Sequence, residues 1–201
     1  MEETFPDPST SPARYARILL LDYTNIVMSG DAESSGWIRG FSRIVHLEVI
    51  SRSVYTDESQ APLIPLRGLS PTVRSLRADL AALPSSRVFY LVLSFPLLED
   101  LTVSGVGHDR LIDRDDLDGP RTVVRPSNPP TFAGSLELMM TGMKPIARPL
   151  LSIPSGIHFR KLTLTWFHKD DILLTSELAE RCSHTLESLD ITCSDPSRTS
   201  I

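Results

Sequence analysis

The stretch Ile157–Trp166, IHFRKLTLTW, decides how the rest of the chain is read. Phe159, Leu162 and Leu164 stand three and then two residues apart, and the second step is the period of a β-strand with one face buried. Lys161 and Thr163, which alternate with them, are therefore expected on the opposite face. The same apolar-x-x-Leu-x-apolar cadence returns six more times along the chain.

Its middle leucines are Leu19, Leu47, Leu76, Leu101, Leu136, Leu162 and Leu189, with successive spacings of 28, 29, 25, 35, 26 and 27 residues. The flanking apolar positions read Ala16 and Leu21, Ile44 and Val49, Val73 and Ala78, Leu98 and Val103, Ala133 and Leu138, Phe159 and Leu164, Leu186 and Ile191. A short strand cadence carried on a period of roughly 20–29 residues is the signature of leucine-rich repeats, in which each strand lines one face of a curved solenoid. The expected fold is thus α/β: a leucine-rich-repeat-like solenoid whose curved parallel sheet carries helices and irregular segments on its convex side. Three strand side chains bury too little surface to offset the backbone entropy of a whole unit. Each repeat must therefore be sealed by its neighbours.

The 201 residues allow one ordinary domain or one short solenoid, and 41% apolar content suffices for a continuous core. A net charge of −5 and a pI near 5.5 oppose general binding to nucleic acid or anionic membrane, which needs a basic stripe against phosphates. No apolar run approaches the ~18–20 residues of a membrane span. The N-terminus is acidic and Pro-rich where a secretory signal would be basic and then apolar. Together with only two cysteines, Cys182 and Cys193, this leads to an expected intracellular location, cytoplasmic or nuclear, where thiols stay reduced.

The expected organisation is a disordered tail over 1–13, a repeat domain over 14–194 and a C-terminal tail over 195–201. The first cadence has two registers, Ala16-Leu19-Leu21 or Ile18-Leu21-Tyr23, and the spacing to Leu47 favours the first. Ser34–Phe41 places Trp37, Ile38 and Phe41 at helical spacing, and Trp37 reads better as a covering aromatic than as a stacking platform. Arg87–Ser94 is apolar and helix-compatible. The long interval contains clustered Asp and several prolines and reads as an acidic insertion over about 107–131. In TGMKPIARPLLSIPSG, Pro145, Pro149 and Pro154 oppose a helix, although Ile146, Leu150 and Leu151 are expected to cover the core. Leu174–Cys182 is expected to be helical, with Thr175 or Ser176 as its cap.

The segments GWIRGFSRIVHLEV, LRGLSPTVRSLRA, SFPLLEDLTV, SGIHFRKLTLTW and CSHTLESLDIT resemble the repeat part of uncharacterised fungal F-box/leucine-rich-repeat-like proteins, over nearly the whole chain between the tails. The resemblance implies an intracellular arc that holds a protein target. It also implies, as the alternative function, the substrate-recognition part of an F-box-type ubiquitin-ligase receptor, truncated or fragmentary here. No F-box-like helical segment precedes the first cadence, so a ubiquitin-ligase adaptor is an implied partner only if an F-box exists in a longer chain. The positions at which many such repeats carry Asn or Cys read Thr24, Arg52, Ala81, Val106, Thr141, Phe167 and Ser194, so the turns must satisfy their backbone groups in another way.

Local signals for chemistry are weak. Asp109, Asp113, Asp115, Asp116 and Asp118 invite a calcium reading, but counting from Asp113 puts Asp118 where the turn glycine belongs and Val124 at the last ligand position. The cluster reads as a solvated acidic loop. His46, His108, His158, His168 and His184 show neither the helical pairing nor the Cys-pair spacing of a zinc site. Cys182 and His184 are neighbours in sequence only, and no nucleophile elbow, phosphate-cradling loop or dinucleotide fingerprint appears.

What remains is the concave face. The expected function is a non-catalytic protein-interaction module without cofactor or metal, binding a protein or peptide on that face rather than nucleic acid or membrane. The candidate contact residues are His46, Glu48, Arg77, Asp100, Thr102, Glu137, Met139, Lys161, Thr163 and Asp190, with Met140 and Trp166 as further apolar anchors.

Overall fold

Strand alternation and burial coincide over most of the chain. In this computed structural model, which describes residues 12–22, 41–50, 69, 72–79, 85–106, 130, 132–141, 143–166 and 171–193, seven strands form one open sheet in chain order. They are β1 (Ile18–Asp22), β2 (His46–Ile50), β3 (Ser75–Asp79), β4 (Asp100–Val106), β5 (Ser135–Thr141), β6 (Lys161–Trp166) and β7 (Ser188–Cys193). Every neighbouring pair is parallel. The register aligns Leu19, Leu47, Leu76, Leu101, Leu136, Leu162 and Leu189 in a single row across the sheet.

Parallel neighbours require crossovers, and described helices occupy three of them. They are α1 (Ser85–Ser94), α2 (Lys144–Leu151) and α3 (Asp171–Arg181). Val88, Leu91 and Val92 of α1, Ile146 and Leu150 of α2, and Leu174 and Leu178 of α3 join the inward strand residues in one buried cluster. α2 packs against both α1 and α3. The alternate strand residues are left on the other, open face, as in β2 and β3, where burial follows the two-residue period. No helix among the described residues is long and apolar enough to cross a membrane.

A hydrogen-bond device repeats at the start of most strands. The carbonyl of the residue just before one strand accepts two N–H groups from the next repeat: Arg17 serves Val45 and His46, Val45 serves Arg74 and Ser75, Arg74 serves Glu99 and Asp100, and Arg160 serves Glu187 and Ser188. These lead-in carbonyls join successive turns that carry no Asn ladder. They also explain why each ladder begins two residues after the buried first anchor: Ile44, Val73, Leu98 and Phe159 are fully buried but precede the strand pairing.

The step into β5 differs. Leu136 lies four residues after its buried anchor where the other repeats have three, and that anchor is Phe132 rather than the expected Ala133, which is exposed. Phe132 takes a left-handed conformation with φ 44°, an unfavourable one for a non-glycine residue. Full burial of its ring, 5.1 Å from that of Phe159, holds it there. The extra residue also breaks the carbonyl device: Gly134 N–H reaches the Glu99 carbonyl at 3.1 Å, while Ser135 N–H turns to Asp100 Oδ1 at 2.7 Å.

Helix α1 contains the expected Arg87–Ser94 segment, and the first cadence adopts the favoured register, with Leu19 and Leu21 buried and Ile18 exposed. Two helix expectations are corrected. The proline-rich segment does form a helix, α2: Pro145 sits in the first turn, where no N–H is needed, and the stripe Ile146, Ala147 and Leu150 is buried. That burial outweighs the lost bond at Pro149, and Ser152 closes the last turn by donating its N–H to Arg148 O and its hydroxyl to Pro149 O. Helix α3 begins at Asp171, three residues earlier than expected, so neither Thr175 nor Ser176 caps it. Ser176 instead donates to the Ile172 carbonyl one turn back, at 3.1 Å. The segments 1–11, 34–40, 107–129 and 194–201, and with them Trp37 and the Asp cluster, lie outside the described residues.

Candidate functional site: the open face of the sheet

Because the strands share one register, their outward residues fall into rows perpendicular to the chain. The first row runs Ile18, His46, Ser75, Asp100, Ser135, Lys161, Ser188. The second runs Leu20, Glu48, Arg77, Thr102, Glu137, Thr163, Asp190. Beyond them Asp79, Ser104, Met139, Thr165 and Thr192 continue across the last five strands. All ten candidate contact residues lie in these rows.

Neighbouring members of a row answer one another. His46 Nδ1 lies 2.8 Å from Ser75 Oγ. Arg77 Nε stands 3.5 Å from Glu48 Oε1, and the Thr102 hydroxyl donates to Glu137 Oε2 at 3.3 Å. Lys161 and Asp190 are exposed and make no ion pair among the described residues. Met139, half-buried, sits between Ser104 and Thr165.

Asp100 has a more specific task than its place in the row suggests. Its Oδ1 accepts from both the N–H and the hydroxyl of Ser135, each at 2.7 Å, supplying the acceptor that the irregular step into β5 lacks. Gly134 makes room for this: a Cβ there would fall on the Asp100 carboxyl group and lie 3.0 Å from the Glu99 carbonyl. Asp100 therefore stitches β4 to β5 as well as facing solvent.

Met140 is corrected as an apolar anchor of this face, since it points inward and is fully buried. The reason is the strand period, which puts Met139 and Met140 on opposite faces. The sequence reading also left out Ile18 and Leu20, which are 68% and 53% exposed at the β1 end of the first two rows. The favoured first cadence already carried the signal: if Leu19 and Leu21 point inward, Ile18 and Leu20 point out.

Among the described outward residues carboxylates outnumber cations: Asp22, Glu48, Asp79, Asp100, Glu137 and Asp190 stand against Arg77 and Lys161, and Asp22 and Asp79 have partners of their own. Basic character appears elsewhere, at the rim where the strands begin. There Arg17, Arg43, Val45, Thr72, Arg74 and Leu97 line a shallow groove of about 310 Å³, and Arg74 is paired with Glu99.

No group of three or more His, Cys, Asp or Glu among the described residues is placed to hold a metal ion. Cys182 is buried and free, its Sγ 3.9 Å from the Ile157 carbonyl, and burial pushes its thiol pKa above the ordinary value of 9.0. That makes it a poorer nucleophile near neutral pH. Cys193, exposed on β7, is also free.

No family model, curated protein or solved structure matches this chain.

Proposed function

We propose that the chain is a non-catalytic, leucine-rich-repeat-like interaction module, and that the open sheet face docks a protein or peptide segment of basic character. The observation that carries this reading is the single register. It turns outward residues separated by two dozen or more positions in sequence into continuous polar rows, with carboxylates outnumbering cations. An open, mixed-polarity surface suits a macromolecular contact better than a small substrate, whose binding requires concave enclosure. The exposed Ile18 and Leu20 give one end of the rows an apolar foothold.

The reading is tested by inverting the charge pattern while preserving the internal pair. The double exchange Glu48→Arg with Arg77→Glu retains their mutual attraction, so circular dichroism and thermal unfolding should change little, while a docked partner meets reversed charges. Combined with Glu137→Lys, it should remove partners recovered by quantitative affinity capture with the native chain. An unchanged partner set from a folded triple variant would sink the proposal.

A further inference from the structure

The last strand leaves core positions open. Leu162 and Leu164 on β6 are fully buried, yet Leu189 and Ile191, their partners in register one strand further on, are each 46% exposed. Every residue of β7 is exposed. The Glu187 carbonyl, which occupies the lead-in position of this last repeat, accepts no backbone hydrogen bond among the described residues, whereas the equivalent Arg160 carbonyl accepts two. Among the described residues an apolar strip and an unpaired hydrogen-bonding edge therefore coincide.

The charges at this edge say what fits it. Inside the sheet, charge at the lead-in position meets its opposite on the next repeat, as in Arg74–Glu99 and Arg160–Glu187. In the second outward row Glu48 is likewise answered by Arg77. At the outer edge both positions are acidic. The side chain of Glu187 is 70% exposed, and Asp190 has no ion-pair partner among the described residues.

We infer that the free edge of β7 receives an extended segment of a partner protein as an added parallel strand, with the pattern basic-x-apolar-basic-apolar. In the sheet's own register the first basic residue meets Glu187, the two apolar residues cover Leu189 and Ile191, and the second basic residue meets Asp190. Backbone bonds supply the adhesion and alternate side chains the selectivity, as in other strand additions. A twofold pairing of two β7 edges is disfavoured because antiparallel alignment of Leu189 with Ile191 would set Asp190 against its own copy. This inference concerns the edge and does not depend on the open-face reading.

The chain itself contains that pattern, in Arg74-Ser75-Leu76-Arg77-Ala78, so a blocked, labelled peptide of the Thr72–Asp79 sequence is a defined probe. Fluorescence anisotropy should show saturable binding to the full chain, with slowed amide exchange confined to Ser188–Cys193. A peptide with both arginines replaced by glutamate should bind at least about tenfold more weakly. Against the double variant Glu187→Lys with Asp190→Lys, that preference should reverse. Equal binding of the two peptides, or protection on β1 or on the open-face strands instead of β7, overturns the inference. Self-association of the chain that protects β7, seen by sedimentation without peptide, also overturns it and assigns the edge to a second copy. Because Leu189 is half-exposed, Leu189→Asp should fold and lose peptide binding, and retained binding by that variant counts against the site.

Discussion

The two edge strands, β1 and β7, bear the same cadence and solve opposite problems. On β1 the inward residues Leu19 and Leu21 are only 8% and 7% exposed, and the apolar surface in contact with water is outward, at Ile18 and Leu20. On β7 the outward residues are polar, and it is the inward Leu189 and Ile191 that meet solvent. An edge strand is a liability wherever its backbone and an apolar strip are both free. By that measure both edges carry an exposed apolar strip, and they differ in which face it lies on: outward on β1, at core positions on β7.

The largest expected effect separates interior from edge at the same motif position. Leu162→Ala removes a fully buried side chain and should cost about 2–5 kcal/mol. Leu189→Ala, one strand away and half-exposed, should cost about 1 kcal/mol. Urea unfolding of the two variants checks this, and equal losses would mean that β7 is as enclosed as β6.

Next in size is the step into β5. Asp100→Ala removes the acceptor for two Ser135 donors and should cost about 1–3 kcal/mol. Gly134→Ala should cost a similar amount, because its Cβ displaces the same carboxyl group. The two losses should not add, since each breaks the same stitch, and a double variant close to either single one is the expected result. Additive losses would show that Gly134 and Asp100 act independently. Asp171→Ala probes the helical side in the same way. Asp171 is buried and accepts the Met143 N–H at 3.0 Å, fastening the start of α2 to the start of α3, and its loss should cost about 1–3 kcal/mol in the same unfolding experiment.

These positions also mark where the sequence was readable. The middle leucines and their partners two residues on were legible because one-sided burial imposes a strict period, and a slip of one residue would turn each strand inside out. Phe132 was missed because the repeat into β5 has one residue more between anchor and leucine, which moved the expected anchor to Ala133. Helix α2 was missed because proline counts against a helix locally, whereas its stripe of Ile146, Ala147 and Leu150 acts through tertiary burial. The tasks of Asp100 and Asp171 depend on partners 35 and 28 residues away, and nothing in their own neighbourhood announces them. The rows of the open face were legible as rows.

A smaller effect concerns the cysteines. Burial raises the Cys182 pKa in the folded chain, so its contribution to stability is fully present below the ordinary value of 9.0 and is lost as pH rises through the folded value. Urea midpoints followed from about pH 7 to pH 10 should therefore fall more steeply for the native chain than for Cys182→Ala. Cys193, on the exposed edge strand, should react with a thiol reagent in the folded state, whereas Cys182 should react only on opening. Simultaneous modification of both would mean that the strands around Cys182 open as readily as the edge.

The smallest effect tests whether electrostatics distinguishes edge from interior as burial does. Arg160–Glu187, at the last repeat, spans 3.8 Å with side chains 63% and 70% exposed, while Arg77–Glu48 spans 3.5 Å with the glutamate only 20% exposed. Exposed pairs couple by about 0.2–1 kcal/mol in double-mutant cycles, so the edge pair should fall at the bottom of that range and the interior pair nearer the top. Raising the salt concentration should reduce the edge coupling more, because water and ions reach both partners. If the edge pair instead couples as strongly as the interior one and resists salt, Glu187 is already held in a shielded setting. A basic segment added beside β7 would then gain little from it, and the recognition of that edge would have to rest on Asp190 and the two exposed core positions.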